Sequence, residues 1–327
     1  MASMYADLPE LHVSIVEGKI AVLKLNRPAN RHSFNNEMKD CSSHSLTALA
    51  AIALADEQVP GIVEAAARLD ADDRVKVVIF TSDPVSNTFC AGADLSGGRN
   101  FSSDDNEAAA ASGGKRYNTA KTHLEHRDGG GQATLALFRI RKPVIAAVTG
   151  HAIGIGATMI LGCDIRLAWK DAKIGYVFAQ RGIVPEAASS FFLPKLIGHS
   201  KAMELFLTAK VIPASHQSLD LLWSSLHNSA EETYNAALSL AREMAGKNSA
   251  ISMALTKALV WRGKDTPEGQ HLLDSQAIHI TGNLADSKEG VKAFFEKREP
   301  QFPGSIPRDL PSVIMPWWSE TDIKYRI

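Results

Sequence analysis

One carboxylate stands where chemistry would be expected of it. Glu186 lies in the stretch RGIVPEAASS (181–190), behind a proline and ahead of two alanines, two serines and the apolar run Phe191-Phe192-Leu193. There it has two readings: a general base, or an acid in the first turn of a helix expected over 187–197, where it favours the helix dipole. Two small-residue turns could serve such a base, FCAGADL (89–95) and HAIGIGA (151–157). Small residues let backbone N–H groups approach a ligand closely. The second turn also opens a helix, whose first N–H groups have no intrahelical acceptor. Two such donors on one carbonyl oxygen make an oxyanion hole. Taken singly, each segment reads first as a tight turn.

Other motifs fail on spacing. GHAIGIGATM has glycines at 150, 154 and 156, but Met159 stands where a dinucleotide fingerprint needs its third glycine. The chain has no Walker sequence and no G-x-S-x-G elbow. His123 and His126 have a metal-like spacing with no third ligand suggested nearby.

The elements that must position these residues follow a β/α alternation. Residues 11–16 and 20–25 read as strands of a hairpin around Glu17-Gly18-Lys19. Buried-type strands are expected over 75–82, 143–150 and 164–169, with helical patterns in QATLALFRI, GATMILGC and 187–197 between and after them. Residues 36–70 are alanine- and leucine-rich and read as helical, broken near Pro60-Gly61. This predicts an α/β core with parallel pairing. Residues 1–199 form that core, with a Ser-, Gly- and Asp-rich surface excursion over 96–131. Residues 200–298 read as a helical region without strands, and 299–327 as a proline-rich tail that wraps a surface with Trp317 and Trp318 as anchors.

The 327 residues are 45% hydrophobic and 22% charged, the composition of a globular protein. A net charge of −1 gives no global attraction to nucleic acid or anionic lipid. Cys41, Cys90 and Cys163 are far apart, which fits a reducing compartment rather than a disulfide framework. No apolar stretch is long enough to span a membrane, so no membrane partner is expected. The N-terminus lacks a secretory pattern, which points to an intracellular, cytoplasmic location. The last residues, Tyr325-Arg326-Ile327, partly match a peroxisomal address.

LNRPANRHSFN (25–35), FCAGADL, KPVIAAVTGHAIGIGATMILGCDIRLA (142–168), GIVPEAASSFFLPKLIG (182–198) and EGVKAFFEKREPQF (289–302) occur together and in order. In this the chain resembles the enoyl-CoA hydratase/isomerase (crotonase) family over about residues 11–300. The resemblance implies a spiral of ββα units, a helical C-terminal region, and a homotrimer or dimer of trimers. It implies an acyl-CoA thioester substrate and no cofactor beyond that coenzyme A moiety. By position, the oxyanion donors would be the N–H groups of Ala91 and Ile155. Cys90, Ala91, Gly92, Ala93, Asp94 and Leu95 would hold the adenine end of coenzyme A, and Lys297 would approach its nucleotide.

Hydratases resembling the family's namesake carry two glutamates, at positions that fall on Thr158 and Phe178 in this chain. The Δ3,Δ2-enoyl-CoA isomerases instead often carry one glutamate in a PE..SS context, which Pro185-Glu186 and Ser189-Ser190 fit. The expected activity is transfer of a 3-enoyl-CoA double bond to the 2-position through an oxyanion-stabilised dienolate, with Glu186 as base. The alternatives are hydration of a 2-enoyl-CoA and CoA-thioester binding without turnover.

Overall fold

The computed structural model describes residues 4–6, 8, 10–34, 61–83, 87–93 and 126–321. β1 (Leu11–Val16) and β2 (Ile20–Leu25) pair antiparallel, with Leu11 opposite Leu25 and Val16 opposite Ile20. The turn closes at Glu17 and Gly18, whose φ values are 53° and 67°.

Beyond the hairpin the chain alternates between two sheets. β3 (Val77–Ser82), β5 (Val144–Val148) and β7 (Ile165–Trp169) add in parallel to the larger one. Each is followed by a three-residue strand of the smaller sheet: β4 (Thr88–Cys90), β6 (His151–Ile153) and β8 (Lys173–Gly175). A helix comes after each of these short strands. They are α2 (Gly129–Arg139), α3 (Ile155–Thr158) and α4 (Ser189–Ile197), while α1 (Gly61–Ala71) precedes β3. Repetition of this strand–strand–helix step advances both sheets together, so the ends of β4 and β6 lie side by side.

Strand alternation sends side chains to two faces, and both are covered. Ala21, Leu23, Val78, Phe80, Val144, Ala146 and Val148 join the core that includes residues of α1 and α2. Val22, Val77, Ile79, Ile145, Ala147 and Leu167 meet Ala237, Ala241 and Ala245 of α6 (Ala230–Lys247). Alanines four apart give that helix a smooth stripe that packs close to the sheet.

The region after 200 is helical, as read, through α5 (His199–Thr208), α6, α7 (Ala250–Arg262), α8 (Pro267–Gly282) and α9 (Ala285–Phe295). It also holds two strands that the sequence reading missed. β9 (Val211–Pro213) pairs antiparallel with β8, and β10 (Ser225–His227) pairs parallel with β7. Three residues are too few to carry a period-2 pattern; the partner strand selects them. GATMILGC, read as one helix, is a single α-turn over Ile155–Thr158 followed by a 3-10 turn over Met159–Gly162. The tail lies against α7: the Trp317 indole donates to Arg262 O at 2.7 Å, and the Arg262 guanidinium stands 5.6 Å from the Trp318 ring centre.

The readings for Asp94 and Leu95, for 36–60 and for most of the 96–131 excursion lie outside the described residues, as does the terminal tripeptide. Among the described residues no helix is long and apolar enough to cross a membrane.

Candidate active site

The first surprise is where the helix after Glu186 begins. α4 starts at Ser189, with no acid in its first turn. Ala187 and Ala188 intervene, both in the left-handed region at φ 61° and 51°. Non-glycine residues reach that region only when their surroundings hold them there. Glu186 is therefore not a first-turn acid stabilised by the α4 dipole. Ser189 ties the kink down instead: its N–H and its hydroxyl both donate to Glu186 O, at 3.0 and 2.6 Å.

Glu186 is half-buried and turned toward α2 and α3. Its Oε1 accepts the hydroxyl of Thr158, at the end of α3, at 2.6 Å. Its Oε2 occupies the space that a side chain at position 130 would fill, so Gly130 alone leaves room for it. The same space is bordered by the Ile155 side chain, at the opposite end of α3 from Thr158. Asp128 fixes the approach of the two segments. It caps α2 by accepting from Gly131 N, and it accepts the N–H of Ala187 at 3.2 Å. Nothing in the sequence reading pointed to Asp128, although aspartate just ahead of a helical pattern is a favoured N-cap.

The turn at the end of β4 lies beside the start of α3. Cys90 pairs with Ala152, and a Cβ at Gly156 would collide with Cys90 O. The segment 27–34 braces this turn from the other side. The Phe34 N–H donates to Gly92 O at 2.8 Å, and the Ala91 N–H donates to Arg31 O at 3.1 Å.

That last bond corrects the expected donor set. The Ala91 N–H is engaged within the protein and is not presented to a ligand. The N–H of Ala93 donates to no acceptor among the described residues. In the parallel bridge between Phe34 and Ala93, Phe34 gives its N–H to Gly92 O rather than pairing with Ala93 directly. Ile155 is the first residue of α3, and its N–H likewise has no acceptor among the described residues. Its side chain is buried, as is that of Phe178.

Cys90 is wholly buried, and burial pushes its thiol up to about 12, with the Glu186 charge adding to the effect. It stays protonated and is no nucleophile. Lys297 is exposed, with φ 54°, just past the end of α9. No contact among the described residues links it to Glu186 or to the turn at 90–93. Among the described residues no three His, Cys, Asp or Glu side chains gather as a metal site would require.

A half-buried carboxylate therefore sits beside a turn whose N–H groups at Ala93 and Ile155 have no acceptor among the described residues. Residues 49–305 match the family model described as enoyl-CoA hydratase/isomerase. The chain belongs to the enoyl-CoA hydratase/isomerase family. It is 41% identical over 241 residues to Enoyl-CoA hydratase AFT3-1 of Alternaria alternata, covering 74% of this chain and 75% of that protein. It is 30% identical over 296 residues to the 1,2-epoxyphenylacetyl-CoA isomerase of Escherichia coli, covering 90% of this chain and 99% of that one. A probable enoyl-CoA hydratase/isomerase from Mycobacterium abscessus superposes with a TM-score of 0.71 at 29% identity, over 90% of this chain and 99% of the other. The α/β architecture thus matches solved structures of enoyl-CoA hydratase/isomerase chains, and the chain is an enzyme of that family, whose substrates are acyl-CoA thioesters.

Proposed function

We propose that the protein moves the double bond of a 3-enoyl-CoA to the 2-position. The observation that supports this reading is the contact of Glu186 with Thr158: its Oε1 meets a threonine hydroxyl at the position where the two-glutamate pattern would place an acid. Isomerisation requires one base. Glu186 takes a proton from C2 of the thioester, and the electron pair delocalises through the C3–C4 double bond and the carbonyl into a dienolate. Reprotonation at C4 by the same carboxyl gives the 2-enoyl product. The N–H groups of Ile155 and Ala93 donate to the thioester oxygen as its charge grows. Loss of one such donor typically costs about 10²–10³ in rate. The turn from Cys90 to Leu95 and Lys297 serve the coenzyme A portion.

The runner-up is hydration of a 2-enoyl-CoA, which the name of the Alternaria relative favours. Hydration needs an oxygen positioned over C3, and Thr158 and Phe178 supply no carboxylate to hold that water. Matched 3-enoyl-CoA and 2-enoyl-CoA substrates, with 2-enoyl and 3-hydroxyacyl products quantified, separate the two. Isomerisation should exceed hydration by at least about tenfold, a barrier difference near 1.4 kcal/mol. Hydration at an equal or greater rate overturns the assignment. Glu186→Gln should lower turnover at least about a hundredfold while thioester binding persists.

We also propose a homotrimer or a dimer of trimers. Val260, Leu272, Ile278, Val291, Phe294 and Phe295 on α7–α9 are all more than half exposed, a supply of apolar surface that assembly would bury. Lys297 follows directly on that surface, which suits contact with a neighbouring subunit's substrate. Light scattering on the purified protein tests the stoichiometry.

A further inference from the structure

We propose that Thr158 is a positioning residue whose hydroxyl aims the Glu186 carboxylate and couples it to the backbone turn that carries the Ile155 donor. The inference rests on Glu186 being the base, and it adds how that base is held.

Thr158 has no solvent exposure, so its hydroxyl must find partners within the protein. A threonine on a helix ordinarily bonds back to a carbonyl three or four residues earlier. Those acceptors are present, but distant: Gly154 O at 3.3 Å and Ile155 O at 3.4 Å. The Glu186 Oε1 atom is at 2.6 Å, within the range of a charge-assisted O–H···O⁻ bond. A hydroxyl has one proton, and the short contact shows which acceptor holds it while the carboxylate is charged.

The geometry has a second consequence. Once Glu186 has taken a proton from the substrate, the hydroxyl can turn its own proton toward Gly154 O or Ile155 O and offer a lone pair to the carboxyl. The Thr158 hydroxyl has a partner in either state and keeps its own proton. Gly154 and Ile155 form the start of α3, and Ile155 supplies the proposed oxyanion donor. Thr158 thus stands in direct bonding reach of both the base and this turn. Gly130 closes the other side, since any larger residue there would displace Oε2. Among the described residues the Thr158 hydroxyl meets Oε1 and Gly130 borders Oε2.

The test compares the wild type with Thr158→Val, which keeps the shape and removes the hydroxyl, and Thr158→Ser, which keeps the hydroxyl. With 3-enoyl-CoA, Thr158→Val should lose about tenfold to a hundredfold in kcat with little change in KM. The acid limb of its pH–kcat profile should move to higher pH, because a donor to the charged form is gone. Thr158→Ser should restore both. Should the valine variant not fold, Thr158→Ala replaces it in the same comparison.

A second readout does not depend on turnover. Carbon-13 labelling of the glutamate carboxyls, with Glu186 assigned through Glu186→Gln, follows protonation at that residue directly. It should occur at higher pH without the hydroxyl and return to the wild-type value in the serine variant. Unchanged titration in all three proteins overturns the proposal, as does a valine variant with wild-type kcat and pH profile. If titration shifts as expected while 3-enoyl-CoA is not isomerised, the positioning role stands and the isomerase reading falls.

Discussion

Glu186 and Gly130 are 56 positions apart in the chain, yet the carboxylate Oε2 of one occupies the side-chain space of the other. The contact accounts for a glycine in the first turn of α2, despite its lower helix propensity than alanine. Gly130→Ala should therefore improve helix propensity and still impair the enzyme. The expected result is at least about a tenfold loss of kcat, from displacement of the reacting carboxylate. Steady-state kinetics beside thermal unfolding checks it; an active Gly130→Ala protein would show that Oε2 can relocate freely.

Asp128 holds the same two segments from the backbone side. It caps α2 through Gly131 N and accepts from Ala187 N at 3.2 Å. Asp128→Ala removes Oδ1, the acceptor of both bonds, and should cost about 1–2 kcal/mol of stability, in the range of a lost N-cap. It should also lower kcat, since Ala187 and Ala188 lose a restraint on their left-handed conformations. Asp128→Asn keeps an acceptor oxygen and should recover most of the stability. Urea unfolding of the three proteins makes the comparison.

How much of this was legible in the sequence depends on how far apart the partners lie. The hairpin at 11–25 and the strand at 144–148 are written in local apolar runs, so both were readable. Glu186 was visible because its motif is contiguous. Its partner Thr158 is 28 residues away and Asp128 is 59 from Ala187, and no local pattern encodes either contact. The Ala91 donor was misassigned for a related reason. Only the folded chain brings Arg31 O to that N–H, at 3.1 Å, and leaves the Ala93 N–H without an acceptor among the described residues. Whether Glu186 began a helix could not be read either, because alanine gives no warning of positive φ at 187 and 188.

His32 makes the brace at 27–34 sensitive to acid. The ring is fully buried, and its Nδ1 accepts the Arg27 N–H at 3.1 Å. Burial holds the imidazole below its usual 6.5, with Arg27 acting in the same direction and Asp83 against it. Between that lowered value and 6.5 the unfolded chain binds more protons than the folded one, so stability falls as pH falls through this window. Urea midpoints at about pH 7.5 and about pH 5 should show the loss, and His32→Asn should reduce it. An equal loss in the variant would assign the acid sensitivity to other groups.

The sharpest test of the oxyanion assignment uses the position of Ile155 at the start of α3. The first residue of a helix has no intrahelical use for its N–H, and proline is tolerated there because its fixed φ suits the helix. The residue before it, Gly154, has φ 56° and ψ −122°, a conformation outside the α region that a following proline disfavours. Ile155→Pro should thus delete the proposed donor while the fold survives, though it also shortens a buried side chain. Ile155→Ala controls for that loss. The expected outcome is a fall of about 10²–10³ in kcat for the proline variant and a much smaller one for alanine. Ala91→Pro would be a poor substitute, because it breaks the bond to Arg31 O and disturbs the turn itself. Circular dichroism establishes that Ile155→Pro is folded, and acyl-CoA binding establishes that the pocket is intact. A folded, binding-competent variant with the turnover of the alanine control would remove the Ile155 N–H from the mechanism.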